Sequence, residues 1–118
     1  MPRFVILTHD HPRGLHWDLM LEQGGALATW ALAEEPAAGK AITAEPLADH
    51  RLAYLDYEGP VSGARGEVNR WDRGDYLVVE ESASTLRASL EGTRLRGTIV
   101  LRREADRWTF TYEPGAGA

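Results

Sequence analysis

All four histidines of the chain fall in two short polar segments: His9, His11 and His16 in THDHPRGLHWDLMLE, and His50 in ADHRLAYLDYEG. Near neutral pH an imidazole is suited to metal ligation or to proton transfer. With the strand period of two, His16, Asp18 and Met20 project from one face of an extended segment, and Trp17, Leu19 and Leu21 from the other. With a histidine a short loop upstream, they make a two-nitrogen, one-oxygen donor set. Such a set suits a first-row divalent ion and leaves positions open for water or a phosphate oxygen. Taken singly, His9 and His11 could be polar turn residues, and His16 a hydrogen-bonded histidine at a sheet edge. The concentration of every histidine in two segments, one of them beside Asp18, favours a site. No HExxH or paired CxxC pattern is present, so the metal reading rests on clustering.

The frame that must hold these residues is short. The 118 residues make one domain, ordered from about 4 to 113, with 114–118 as a loose tail. An apolar fraction of 43% and a charged fraction of 26% are those of a globular protein. There is no cysteine, which excludes disulfides, thiolate metal sites and thiol nucleophiles. No apolar run reaches the roughly 20 residues of a membrane span, and the first residues lack the pattern of a secretory signal. Cytoplasmic residence is the expected default. A net charge of −5 argues against a protein that coats nucleic acid in bulk. Six arginines (Arg87, Arg94, Arg96, Arg102, Arg103 and Arg107) are nevertheless concentrated near the C-terminus. They read as a solvated sheet face or, more sharply, as a face that follows a phosphate backbone.

Short strands cut by turns dominate the pattern. Strands are expected over 4–8, 17–22 and 26–31, the last two joined by Gln23-Gly24-Gly25. Residues 34–46 read as a loop, with Pro36, Gly39 and Pro46, and 51–57 as a further strand. Strands 67–71 and 76–80 flank a turn at Asp72-Arg73-Gly74-Asp75, and 86–90 and 94–102 flank Glu91-Gly92-Thr93. A last strand, 108–112, follows Glu104-Ala105-Asp106. Helical periodicity is not sustained anywhere. The fold class is therefore mainly β, a single antiparallel β-barrel or curved sandwich with little helix, and the tryptophans, Trp71 and Trp108 included, pack its core and rim.

The same segments carry a family resemblance. HDHPRGLHWDLMLEQGGALATWAL, DHRLAYLDYEGPVSGARGEVNRWDRGDY and LEGTRLRGTIVLRR, followed by Trp108, resemble in order the 3′-phosphoesterase module of bacterial DNA ligase D, over about Phe4 to Tyr112. The resemblance implies a β-barrel enzyme that uses manganese to trim 3′ ends during end joining, removing a terminal ribonucleoside and then the 3′-phosphate. By motif position it implies His9, His16 and Asp18 as metal ligands, for Mn2+ or, in its place, Zn2+. His50 and Tyr54 fall on the histidine and tyrosine that act around the scissile phosphate. The chain departs from the pattern in three ways. The connection between His9 and His16 is one residue longer, which makes His11 an alternative ligand. Met20 stands where the family carries an arginine two residues after the aspartate. The basic residues before the second motif are missing, with Lys40 alone in that stretch. Arg13, Arg51 and Arg65 are the candidates to bind phosphate instead.

Three functions follow as expectations. The first is a manganese-dependent 3′-phosphoesterase acting on DNA or RNA-ended DNA 3′ termini, with a separate ligase or polymerase of end joining as partner. The second is a non-hydrolytic end-binding or scaffold protein that retains the fold. The third is a phosphoesterase for a small phosphorylated metabolite.

Overall fold

The computed structural model describes residues 2–115. Nine strands are assigned among them: β1 (Arg3–His11), β2 (Gly14–Gln23), β3 (Ala26–Leu32), β4 (Ile42–His50), β5 (Gly59–Pro60), β6 (Glu67–Glu81), β7 (Thr85–Gly92), β8 (Arg96–Glu104) and β9 (Arg107–Pro114). They pair antiparallel in the order β1-β2-β3-β4-β9-β8-β7-β6, and β6 returns to β1 and closes an eight-stranded barrel. The two-residue β5 adds to β6 outside that ring. Closure removes most of the open strand edges that a flat sheet would expose. No helix among the described residues is long and apolar enough to cross a membrane.

Alternation decides what lies inside. Phe4 and Ile6 of β1, Leu19 and Leu21 of β2, Leu86, Ala88 and Leu90 of β7, Ile99 and Leu101 of β8 and Phe110 and Tyr112 of β9 fill the interior. Trp17, Trp30, Trp71 and Trp108 pack against that core while staying partly exposed, as expected for core and rim. The run Phe4-Val5-Ile6-Leu7 is buried at every position, which a one-sided strand would not be. The reason is a second apolar cluster outside the barrel, where Val5, Leu7, Met20, Leu27 and Val68 are covered by Leu55, Val61 and Tyr54. Burying a leucine such as Leu55 contributes on the order of 2 kcal/mol, which anchors the 52–61 segment on the outer sheet face. That layer makes one wall of the candidate site.

Three segments differ from the sequence reading. The expected turn at Asp72–Asp75 is instead the middle of β6, which runs unbroken from Glu67 to Glu81 with a bulge at Trp71. Gly74 is needed there for closeness rather than for a turn: a Cβ would lie 2.0 Å from the Glu91 carbonyl oxygen. The expected strand at 51–57 is a single 3-10 turn, Leu52–Leu55, because Leu55 must face the second cluster. Most of β4 lies in the stretch read as a loop from its prolines and glycine. Pro46 is tolerated within β4, where it pairs with Trp30. At the C-terminus, Pro114 belongs to β9 and the Gly115 N–H donates to the Arg96 carbonyl. The rest of the expected tail, 116–118, lies outside the described residues.

Asp72 has a structural duty that its sequence context did not announce. Its buried carboxylate accepts backbone N–H bonds from Arg73, Thr93 and Leu95, each at 2.8 Å, and so ties the β7–β8 turn to β6. Removing a buried acceptor leaves its donors unpaired, so Asp72→Ala is expected to destabilise the fold by about 3 kcal/mol. Urea unfolding measures this, and a loss below about 1 kcal/mol would show that water replaces the carboxylate.

Candidate metal centre and phosphate cleft

The hairpin of β1 and β2 builds the centre. Its connection is two residues long, Pro12 and Arg13, and the register sets His9 opposite His16, Leu7 opposite Asp18 and Val5 opposite Met20. This tight connection makes the two histidines face one another across the strands. His9, His16 and Asp18 each offer a ligand atom, and these atoms lie within 4.8 Å of one another. His9 Nδ1 stands 2.9 Å from Asp18 Oδ2, and His16 Nε2 3.0 Å from Oδ1. Trp17 and Leu19, one residue out of phase, turn to the barrel interior.

The donor set fits a cation. The Asp18 side chain is only 3% exposed, and its Oδ1 has no hydrogen-bond partner. His16 Nε2 approaches that oxygen outside good hydrogen-bond geometry, and the contact becomes an ion pair when the imidazole is protonated. The Asp18 contact raises the His16 imidazole above its ordinary value against the opposing effect of burial, and the charge of Glu45 adds to the rise. His9 Nε2 lies 2.8 Å from the Arg65 carbonyl oxygen and can only donate there. A neutral His9 therefore turns the lone pair of Nδ1 toward the carboxylate, and a cation between them relieves that opposition. An imidazole whose second nitrogen donates to a backbone carbonyl is the usual support of a metal-binding histidine. The Arg65 carbonyl reaches it because Gly66 packs directly on β1, where a Cβ would lie 1.8 Å from the Asp10 carbonyl oxygen.

The centre opens into a cleft of about 750 Å³ on the outer barrel face, lined also by Thr43, Glu45 and Leu47 of β4 and by His50, Arg51, Tyr54 and Arg65. A bulge delivers His50: β4 has one more residue than β3 between the pairs Leu27–His50 and Thr29–Leu47. This extra residue shifts the alternation and brings position 50 to the cleft side. His50 Nδ1 donates to the Ala48 carbonyl at 2.9 Å, which leaves Nε2 with the lone pair in the neutral ring. The ring meets Tyr54 edge to face, with centres 5.5 Å apart.

The other sequence candidates also reach the cleft, in different states. Arg13, Arg51 and Arg65 all line it. The Arg65 guanidinium folds back on Ser62, with Nε 2.6 Å from its carbonyl oxygen and Nη2 3.2 Å from its hydroxyl. His11 lines the cleft but is not one of the three close ligand residues. Met20 is 1% exposed and belongs to the second apolar cluster, so this wall offers no cation. Sequence reasoning missed Glu45 because 42–50 was not read as a strand; alternation with Thr43 and Leu47 would have placed it here. It also missed the Arg65 carbonyl, for which no spacing signal exists.

The model of the DNA Ligase D 3′-phosphoesterase domain family matches residues 7–103. The multifunctional non-homologous end joining protein LigD of Pseudomonas aeruginosa is 32% identical over 111 residues, covering 86% of this chain and 13% of the relative. The protein of the same name from Mycobacterium bovis is 31% identical over 115 residues, covering 89% of this chain and 15% of the relative. The chain thus spans about a seventh of these relatives. With the family pattern matched over most of its length on a closed barrel, the chain belongs to the DNA Ligase D 3′-phosphoesterase domain family.

Proposed function

We propose that the chain is a metal-dependent 3′-phosphoesterase that processes nucleic-acid 3′ ends in end joining, removing a 3′-phosphate or a 3′-terminal ribonucleoside. The observation that carries this reading is the Asp18 carboxylate, buried between two imidazoles with one oxygen lacking a hydrogen-bond partner, in the same cleft as His50 and Tyr54. His9, His16 and Asp18 would hold the ion, manganese first and zinc as a substitute at such nitrogen and oxygen donors. The bound ion would polarise a phosphate oxygen. Water attacks the phosphorus, and His50, protonated at Nε2, gives its proton to the leaving oxygen: the 5′ oxygen of the nucleoside when a ribonucleoside is removed, the 3′ oxygen when phosphate is released. The Tyr54 hydroxyl donates to the phosphate beside it. Arg51 and Arg13 supply positive charge at the rim. Removal of a ribonucleoside leaves a 3′-phosphate, and removal of that phosphate leaves the 3′-hydroxyl that a polymerase extends or a ligase seals, which makes such an enzyme the partner.

The test is hydrolysis of a recessed 3′-phosphate primer and a 3′-ribonucleotide-ended primer, with and without manganese. Metal-dependent release on these ends, well above the rate on a generic phosphomonoester, is expected. Equal rates on the generic ester would indicate a small-metabolite enzyme. Tight binding of 3′ ends without turnover would indicate an end-binding protein.

Metal binding should also be coupled to protons. A ligand histidine binds the ion in its neutral form, and the His16 value lies above the ordinary 6.5. Without metal, the His16–Asp18 contact stabilises the fold fully below the unfolded value and fades as pH rises through the raised folded value. Metal affinity runs the opposite way: it increases with pH through that range and levels off above it. Calorimetry near neutral pH in buffers of different ionisation enthalpy should record proton release on manganese binding. Heats independent of buffer would remove His16 from the ligand set.

A further inference from the structure

Three imidazoles stand together beside Asp18, and two of them have their nitrogens turned to other work. His9 directs one nitrogen at the Arg65 carbonyl and the other at Asp18, while His16 directs Nε2 at Asp18. His11 differs. Its ring centre lies 5.2 Å from that of His9 and 6.2 Å from that of His16, and it lines the same cleft. Its Nδ1 accepts the backbone N–H of Arg13 at 3.0 Å, a contact that the tight Pro12-Arg13 connection creates. A ring nitrogen that accepts carries no proton, so the neutral ring holds its proton on Nε2. That N–H has no hydrogen-bond partner among the described residues.

This contact bears on whether His11 could be a ligand instead. Coordination through Nε2 would move the proton to Nδ1, where it would face the Arg13 N–H donor to donor. Coordination through Nδ1 would displace the Arg13 N–H altogether. Both routes break the hairpin-tip hydrogen bond, whereas donation from Nε2 keeps it. The acceptor that suits such a donor, in a cleft beside a carboxylate–imidazole centre, is an anionic oxygen. The wall at Met20 is apolar and supplies no competing donor.

We propose that His11 is a substrate-binding residue whose Nε2–H donates to a non-bridging oxygen of the phosphate held at the His9–His16–Asp18 centre. This assignment rests on the phosphoesterase reading and gives the hairpin tip a part in phosphate recognition. It concerns binding of the anion, not of the ion.

The experiment uses manganese and inorganic phosphate as probes, so that it reads binding apart from turnover. Manganese affinity is measured by calorimetry, and phosphate affinity on the manganese-loaded protein by 31P relaxation. For His11→Ala, manganese affinity should stay within about twofold of wild type, while phosphate binding weakens about tenfold, the worth of one hydrogen bond to a charged acceptor. His11→Gln, which carries an amide N–H at similar reach, should recover most of the lost affinity. With a 3′-phosphate primer, KM should rise in the alanine variant and fall back in the glutamine variant. Unchanged phosphate affinity in His11→Ala would overturn the assignment, as would failure of the loaded wild type to bind phosphate. A large loss of manganese affinity in His11→Ala would overturn it in favour of ligation. Failure of the wild type to bind manganese would overturn the phosphoesterase reading as well.

Discussion

Replacing Asp18 with asparagine is expected to weaken manganese binding about a hundredfold or more and to remove detectable turnover on a 3′-phosphate primer. The carboxylate brings the only negative charge among the three close donors, and its two oxygens face the two histidines separately. An amide keeps the shape but loses the charge, and its NH2 group must face one of those imidazoles with a donor. Loss of binding can be separated from loss of folding. Without metal, Asp18→Asn removes one partner of a buried pair and is expected to cost up to about 3 kcal/mol of stability, so folding is read from the metal-free protein and binding from the increment that metal adds. Ligand linkage supplies the contrast. Manganese at about a hundred times its dissociation constant should stabilise the wild type by about 2.7 kcal/mol, and Asp18→Asn should show almost none of this. Thermal melts with and without manganese measure both quantities. An undiminished manganese-induced shift in Asp18→Asn would remove Asp18 from the ligand set, and the proposed chemistry would lose its centre.

The grouping of that centre was legible because β2 obeys the period of two. His16 and Asp18 had to share a face, and a tight connection then had to return His9 beside them. The barrel was legible for the same reason, from recurring turn signals without sustained helical periodicity. What could not be read is where backbone meets backbone. Gly74 looks like a turn residue in Asp-Arg-Gly-Asp, yet it serves the close approach of β6 to Glu91, and only the closed sheet creates that contact. Residues 34–46 look like a loop because proline and glycine punctuate them, but Ile42 and Ala44 alternate into the core as soon as β9 lies beside them. The run 51–57 has the apolar content of a strand, yet its leucines have one outer patch to cover, and a single 3-10 turn places Leu55 there. These three differences have one origin: non-local packing outweighed local propensity.

The second site motif shows how a correct grouping can follow from an incorrect element. Residues 50 and 54 would share a face in a strand; in the structure a bulge turns His50 outward, and the following turn brings Tyr54 against its ring. The consequence for chemistry is specific. His50 is not among the close ligand residues, its Nδ1 is held by the Ala48 carbonyl, and Nε2 is left for a proton. His50→Ala is therefore expected to reduce kcat on a 3′-phosphate primer by about a thousandfold, within the range of a lost general acid or base. Manganese affinity should stay within about twofold of wild type. Tyr54→Phe should cost less, because it removes a hydroxyl and leaves the ring that packs against His50 and the second cluster. The split between kcat and metal affinity is what distinguishes a group acting on the reacting phosphate from one that builds the centre. Turnover close to wild type in His50→Ala would exclude the proton-transfer role. A parallel loss of manganese would move His50 into the coordination shell, which the Ala48 contact opposes less strictly than the Arg13 contact opposes it for His11, since Nε2 of His50 already carries the lone pair. That difference makes manganese titration of His50→Ala the more exacting half of the measurement, and the half to complete before any rate is interpreted.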